Sequence, residues 1–464
     1  GFKMEAVILA AGRGTRMHSQ LPKVLHTVGN KPMLIHVINS AESAGAKKIH
    51  VVVGNDGERM KEQVRRFPIQ NEVSWILQRE QLGTAHAVQQ AVSHFESKAE
   101  GDHILVLYGD VPLIKPDTLV QLLSNTKTGS IGILTLLTEN NRGLGRILRD
   151  ESNKIIGIVE EKDASDLQKE IKEVNSGIMA LPADRLGSWL GKIENNNQQS
   201  EYYLTDIIEL AATENVAISS VVISNEVEAQ GVNDKSQLAL LERHFQMTKC
   251  KELLDKGVII KDPSRVDIRG ELSCGQDVEI DFNTLFEGDV TLGNNVKIGP
   301  NAIIKDSSIG DDTQILPGTI IEGSTIGEET ILGPNARIRP GTILGNKVKV
   351  GNFVETKKAI LGEGTKANHL AYIGDAEIGK NCNIGAGTIF CNYDGANKHK
   401  TLLGDNVFIG SNSVLVAPVK LEDDSFVAAG SAVNTNIPKG NLAVGRVKQR
   451  NISGWKRPTK ITEN

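Results

Sequence analysis

From Leu292 to Val433 an aliphatic or aromatic residue returns at nearly every sixth position. The series runs Leu292, Ile298, Ile304, then Ile309, Ile315, Ile321, then Ile326, Leu332, Ile338, Leu344 and Val350. It resumes at Ile378, Ile384 and Phe390, and again at Ile409, Leu415, Leu421, Val427 and Val433. Such a period matches neither a helix face, which repeats at about 3.6, nor a strand, which alternates at about 2. It predicts coils of three short strands, each contributing an inward residue. Glycine follows many rungs (Gly293, Gly299, Gly310, Gly327, Gly333, Gly345, Gly351, Gly362, Gly374, Gly379, Gly385, Gly410), which predicts corners whose dihedrals exclude a side chain. The shorter steps at Ile304–Ile309 and Ile321–Ile326 predict tightened corners. Gly-rich disorder would lack periodic aliphatics, and a sandwich would need irregularly spaced polar turns. The pattern therefore predicts a parallel β-helix.

Upstream the period changes. Apolar strand-like runs at 6–10, 49–53, 74–77, 103–108 and 132–137 alternate with helical stretches at 32–44, 84–95 and 116–125. That alternation predicts a mostly parallel α/β sheet with ligands at the carboxyl ends of strands, hence in the loops after Ala10 and Tyr108. Between the two patterns, Leu238, Leu241, Phe245, Leu253 and Leu254 sit at helical spacing among charges, and Gly257 is a stop signal. The expected organisation is an α/β domain over 1–235, a helical linker over 236–256, and a β-helix with a basic tail over 257–464.

Composition narrows the function. With 464 residues the chain has room for two or three domains. A net charge of −5 gives no general attraction for nucleic acid or anionic lipid. No apolar run approaches the ~20 residues of a bilayer span, and no signal peptide is expected. Gly1-Phe2-Lys3 ahead of Met4 is expected to be a cloning remnant. Cys250, Cys274, Cys382 and Cys391 have neither metal-site nor disulfide spacing, and a cytoplasmic location is expected.

Two stretches carry candidate chemistry. The first predicted strand runs into Leu9-Ala10-Ala11-Gly12-Arg13-Gly14-Thr15-Arg16-Met17, followed by Pro22-Lys23. The dinucleotide fingerprint needs a small residue where Met17 stands, and a Walker loop needs Gly-Lys-Ser/Thr. Backbone amides with Arg16 and Lys23 nearby suit a polyphosphate; an ordinary turn with solvated cations is the alternative. In the ladder, two interruptions are expected to be loops. One, between Val350 and Ile378, carries Glu355, Lys357, Lys358, His369 and Tyr372; the other carries Asn392 to Lys398. His369 suits a general base, with Glu355 expected to orient it, and Arg339 with Lys357 suits a sugar phosphate.

The Leu9–Met17 string with Pro22-Lys23, together with Gln78, Gln81-Leu82-Gly83-Thr84-Ala85 and Tyr108-Gly109-Asp110, resembles the sugar-1-phosphate nucleotidyltransferases. The ladder resembles the hexapeptide-repeat acyltransferases, which implies a left-handed winding. Both halves in this order resemble the bacterial family that acetylates glucosamine-1-phosphate from acetyl-CoA and couples N-acetylglucosamine-1-phosphate to UMP from UTP, releasing pyrophosphate.

The resemblance implies nucleotide contacts from Leu9, Ala10, Ala11, Gly12, Lys23, Gln78, Gly83, Thr84, Tyr108, Gly109 and Asp110, with Gln78, Gly83 and Thr84 on the base. It implies sugar contacts from Gly145, Glu160 and Asn175, and Mg²⁺ on Asp110 and Asn233. Leu144 departs from an aromatic that relatives often carry there, so sugar packing is expected to differ. In the acetyltransferase half it implies His369 as base with Glu355, sugar-phosphate contacts from Arg339, Lys357, Tyr372 and Asn383, and acetyl-CoA contacts from Ala386, Ser411, Ala429 and Arg446. Asn392 and Tyr393 would line the sugar-phosphate pocket or the acetyl-CoA site. A homotrimer is implied. Two alternatives stay open: a nucleotidyltransferase with a merely architectural ladder, and a non-enzymatic scaffold. His369 with its loop argues against the first; the glycine loop with Arg16, Lys23 and Asp110 argues against the second.

Overall fold

The computed structural model describes residues 3–461; Gly1 and Phe2 of the expected remnant lie outside them. The chain divides into two compact units, Gly1–Phe245 and Gln246–Asn464.

The first unit is built on nine strands: β1 Met4–Ala10, β2 Ile49–Val53, β3 Val73–Leu77, β4 His103–Tyr108, β5 Ile131–Leu137, β6 Arg146–Arg149, β7 Ile155–Val159, β8 Glu173–Pro182 and β9 Ile218–Val222. The sheet order is β9-β5-β8-β4-β1-β2-β3, with the β6–β7 hairpin hanging from β8. β8 is antiparallel to both neighbours; the other strands of that order pair parallel. β2 is buried along its whole length, which is why Ile49, Val51, Val52 and Val53 are apolar, while the buried His50 is satisfied by Glu5 Oε1 at 2.7 Å. Helix Met33–Ser43 covers one face with Leu34, Ile35 and Ile38, and helix Thr84–Ala91 covers the other with Ala85 and Val88. The strand runs and helices foreseen from the pattern are all present within a few residues. β8 was not foreseen, because a register shift between Asn175 and Met179 breaks its periodicity; the β6–β7 hairpin, not foreseen either, has its own shift between Leu148 and Arg149.

In the second unit every ladder rung named above is 5 % exposed or less. The rungs stack in register between coils. Ile298 pairs with Ile315, Ile315 with Leu332, and Leu332 with Val350. The same wall continues through Ala367, Ile384, Ile409 and Val427. This is a parallel β-helix, and it corrects the sequence reading twice.

The expected interruption after Val350 is no loop. Strands Lys349–Leu361 and Lys366–Ile378 pair directly, and buried Thr356, Leu361, Ala367 and Ile373 keep the inward spacing. A threonine and an alanine on the rungs hid the period. The expected insertion at Asn392 does leave the coil, between strands Ile389–Cys391 and Thr401–Leu403.

The rung glycines are also explained differently. Among them only Gly333 has a positive φ, 99°. A Cβ on Gly310 would lie 2.8 Å from the Glu328 nitrogen, and one on Gly362 would lie 2.6 Å from the Gly379 carbonyl carbon. Glycine is needed there for close approach of the next coil. The left-handed positions are often filled by Asn and Asp, such as Asn295, Asn301, Asp312 and Asn412, whose short polar side chains tolerate that region.

Helix Lys235–Asp255 ends just before Gly257, whose φ of 95° breaks it. No described helix is long and apolar enough to cross a membrane.

Candidate active sites

The carboxyl ends of β1 and β4 open into a cavity of about 260 Å³. Leu9, Ala10, Ala11, Gly12, Lys23, Gln78, Gly83, Thr84, Tyr108 and Asp110 line it, with Val24, Gln81, Ala87 and Glu201. Gly109 holds its own place in the turn: its N–H donates to the Leu9 carbonyl at 3.0 Å, and a Cβ there would meet Val24 at 3.0 Å. Lys23 Nζ donates to Asp110 Oδ2 at 2.8 Å and lies 3.5 Å from Asn233 Oδ1. The Val232 N–H donates to the Asp110 carbonyl at 2.9 Å, which brings the Asn233 segment to this point. An ammonium therefore sits between the two oxygens expected to hold a metal. This fits a small cation with hard oxygen ligands, water and phosphate completing its shell. Among the described residues no group of three or more His, Cys, Asp or Glu side chains is placed to hold a metal by itself. Arg16 is exposed on the short 3₁₀ turn Thr15–Met17 and is not among the lining residues.

The expected sugar residues gather beside Tyr108. The Asn175 N–H donates to the Gly145 carbonyl at 2.8 Å, and a Cβ on Gly145 would lie 3.6 Å from the Glu160 carboxylate oxygens. Gly177 packs on the Tyr108 ring. Thr205 donates to Glu160 Oε1 at 3.0 Å, while Thr84 Oγ1 accepts from the neighbouring Leu204 N–H at 2.9 Å. Burial raises the Glu160 carboxyl above its ordinary value; the Thr205 hydroxyl opposes this and the Asp163 charge adds to it. Thr205 carried no motif and was missed.

In the β-helix His369 is exposed, and Nδ1 lies 2.9 Å from Asn352 Oδ1. Asn352 and His369 are register partners on adjacent coils. No hydrogen bond joins His369 to Glu355 among the described residues, contrary to expectation. Glu355 instead accepts from Arg339 Nη1 at 3.3 Å. Lys357 and Asn392 both donate to Asp375 Oδ2, at 3.2 and 2.6 Å, and Asn392 Nδ2 also donates to the Tyr372 hydroxyl at 3.1 Å. Burial alone would raise the Asp375 carboxyl, but the Asn392 amide and the Lys357 ammonium outweigh it and hold it below its ordinary value. Asp375 and Asn352 were missed; each lies one coil from a residue that was singled out, a signal legible only once the coil register is known.

The expected acetyl-CoA positions share one corner of successive coils. The Gly387 N–H donates to the Leu370 carbonyl, the Asn412 N–H to Ala386, and the Gly430 N–H to Ser411. Arg446 donates to the Ala429 carbonyl. This line leads to Leu370, the neighbour of His369. Tyr393 is 60 % exposed on the insertion, and Asn383 pairs in register with Phe408 on another part of the coil.

A nucleotide cavity of this geometry in an α/β unit, joined to a β-helix with an exposed imidazole, defines a two-activity transferase. Comparison with known proteins agrees. Residues 6–166 match the MobA-like NTP transferase domain, 268–361 the GMPPB C-terminal domain, and 401–435 the hexapeptide repeat of succinyl-transferase. The chain is 50% identical over 463 residues, all of both chains, to "Bifunctional protein GlmU" of Pseudomonas putida KT2440. It is 50% identical over 457 residues to the protein of that name from Marinobacter nauticus, covering 98% of this chain and 99% of that one. It belongs to the GlmU family. The second unit is accordingly a left-handed hexapeptide-repeat β-helix. The protein is a bifunctional enzyme of UDP-N-acetylglucosamine synthesis: it transfers acetyl from acetyl-CoA to glucosamine-1-phosphate, then uridylyl from UTP to N-acetylglucosamine-1-phosphate. Its nucleotidyl transfer calls for a divalent metal.

Proposed function

We propose that uridylyl transfer takes place in the cavity between β1 and β4, and acetyl transfer at His369. Gln78, Gly83 and Thr84 take the base of UTP, while Leu9, Ala10, Ala11, Gly12, Tyr108 and Gly109 shape the nucleotide cavity. Gly145, Glu160 and Asn175 take the sugar. A phosphate oxygen of N-acetylglucosamine-1-phosphate attacks the α-phosphorus in line, and pyrophosphate leaves. The protein's part is positioning and charge neutralisation. Arg16 and Lys23 hold the triphosphate. Asp110 and Asn233 are the residues to hold Mg²⁺, which when bound neutralises phosphate charge.

For acetyl transfer the observation that carries the reading is the Asn352–His369 pair. An amide oxygen only accepts, so Nδ1 keeps the ring proton and Nε2 stays free as a base. Nε2 takes a proton from the glucosamine amine as it attacks the thioester carbonyl, and CoA leaves as the thiol. Arg339, Lys357, Tyr372 and Asn383 hold the sugar phosphate; Ala386, Asn392, Tyr393, Ser411, Ala429 and Arg446 serve acetyl-CoA and the pocket beside it. Glu355 acts by holding Arg339. A homotrimer with acetyl sites between subunits fits the exposed Ile343, Phe353, Phe408 and Phe426 of the β-helix. The cysteines are free thiols, as suits a cytoplasmic protein. The working domain limits are 1–235, 236–256 and 257–464.

The test measures thiol release from acetyl-CoA and pyrophosphate release from UTP in parallel. His369→Ala is expected to lower the first by about 10²–10⁴-fold and leave the second unchanged. Asp110→Ala is expected to abolish the second only. Retention of most activity in either variant removes that assignment.

A further inference from the structure

Asp375 stands at a left-handed position, φ 49°, just past Gly374, which is the register partner of Lys357 on the adjacent coil. A single carboxylate oxygen, Oδ2, accepts from the buried Lys357 Nζ at 3.2 Å and from the buried Asn392 Nδ2 at 2.6 Å. A Cβ on Gly374 would lie 2.6 Å from that same amide nitrogen and would strike the Tyr372 hydroxyl. Glycine is therefore what lets Tyr372 and Asn392 close on this point. A lysine stem is flexible, and its ammonium meets a phosphate as a point charge with no fork geometry of its own. Something else must fix where that charge stands.

Asn392 also opens the insertion. Its carbonyl accepts from the His399 N–H at 2.7 Å, and Tyr393 bridges to Lys398 across the base of the loop. Asp394 accepts from the Ala396 and Asn397 N–H groups and pairs with His399 Nε2 at 2.7 Å, so the loop braces itself. Lys398 thereby comes against Lys357, and that hydrogen-bonded neighbour lowers the Lys398 amine below its ordinary value. Like charges side by side are costly unless an anion shares them, and Asp375 is the resident anion. We infer that Asp375 is a positioning residue of the acetyl-transfer site: one oxygen fixes the Lys357 ammonium and ties the insertion to the coil, so that the cations of this corner converge on the phosphate of glucosamine-1-phosphate. A carboxylate repels that phosphate, so Asp375 acts through Lys357 and Asn392 without touching it. The inference rests on Lys357 holding the sugar phosphate, as proposed above.

The experiment measures kcat and KM for glucosamine-1-phosphate by thiol release in the wild type, Asp375→Gly, Asp375→Asn, Lys357→Ala and Asn301→Gly. Glycine accepts left-handed dihedrals without strain, so Asp375→Gly deletes the carboxylate and leaves the backbone at ease. Asn301→Gly makes the same kind of change at a φ of 63° several coils away and is expected to behave as the wild type. A misplaced binding group costs up to ~10²-fold, so Asp375→Gly is expected to raise the KM by about 10–100-fold with kcat kept within about threefold. Asp375→Asn keeps an acceptor in that place without the charge, and its KM falls between the two. A wild-type KM in Asp375→Gly overturns the inference. So does a fall in kcat as large as the rise in KM, which would leave Asp375 a structural role alone. If Asp375→Gly yields no folded protein, Asp375→Asn decides, and a wild-type KM there overturns the inference. An unchanged KM in Lys357→Ala instead overturns the placement of the sugar phosphate, which separates the two failures.

Discussion

Lys23 is one residue in two alternative pairings. Its ammonium holds Asp110 at 2.8 Å, yet the same carboxylate is proposed for Mg²⁺ and the same lysine for the triphosphate. Two cations cannot share that oxygen cheaply, so a metal held by Asp110 would compete with Lys23 and leave its ammonium to the phosphates. Lys23→Gln is therefore expected to bind Mn²⁺ about 3–10-fold more tightly, read by electron paramagnetic resonance, while pyrophosphate release falls about 100-fold or more. Equal Mn²⁺ affinity would show that the lysine does not compete. Each partner was legible in the sequence as a motif position. Their meeting was not, because 87 and 210 residues separate Lys23 from Asp110 and Asn233, and only the fold closes those gaps. Asp206 shows a second residue-scale effect. Burial, then the charges of Glu209, Glu160 and Asp163, push its carboxyl up to about 6 from an ordinary 3.8. As pH rises through that window the unfolded chain loses its proton first, so stability falls. Asp206→Asn removes the loss. With its partial exposure the gain is at most about 1 kcal/mol, or a rise of about 2–4 °C in Tm at pH 8 with none at pH 4.

At the scale of elements, the hexad pattern predicted the β-helix because one aliphatic per strand is a strong and redundant signal. It failed between Val350 and Ile378, where the rungs include Thr356, which is polar, and Ala367, which is too small to stand out among larger aliphatics. It also misjudged why glycine recurs at the corners. Sequence spacing marks a position as restrictive but does not say whether dihedral or proximity restricts it. The two causes are separable by substitution. Gly362→Ala forces a carbon to within 2.6 Å of the next coil's backbone and is expected to cost about 1–3 kcal/mol. Lys347→Gly, at a φ of 57°, removes a left-handed side chain and is expected to change stability by under ~1 kcal/mol in either direction. Thermal unfolding of both variants decides between the explanations. The antiparallel strand Glu173–Pro182 escaped notice for a related reason: its shift at Asn175 breaks the alternation, and that shift sets the proposed sugar contact.

For the whole molecule, the two units carry separate cores and separate chemistry. Motifs made the nucleotide cavity largely readable, since its residues come from a few consecutive loops of one sheet. The acetyl site was readable only in outline, since its Asn352–His369 and Lys357–Asp375 pairs are set by how coils align. That alignment has a further consequence for chain length. Because Ile298, Ile315 and Leu332 are interchangeable storeys of one wall, the β-helix has no preferred height. Excising 299–315 joins Ile298 to Leu316 and leaves each later residue above its proper partner, so a shortened enzyme is expected to keep thiol release. Removing Gly299 alone turns every following side chain around the prism and is expected to abolish it. The sequence of this unit can thus lose or gain whole turns while a single-residue slip is forbidden.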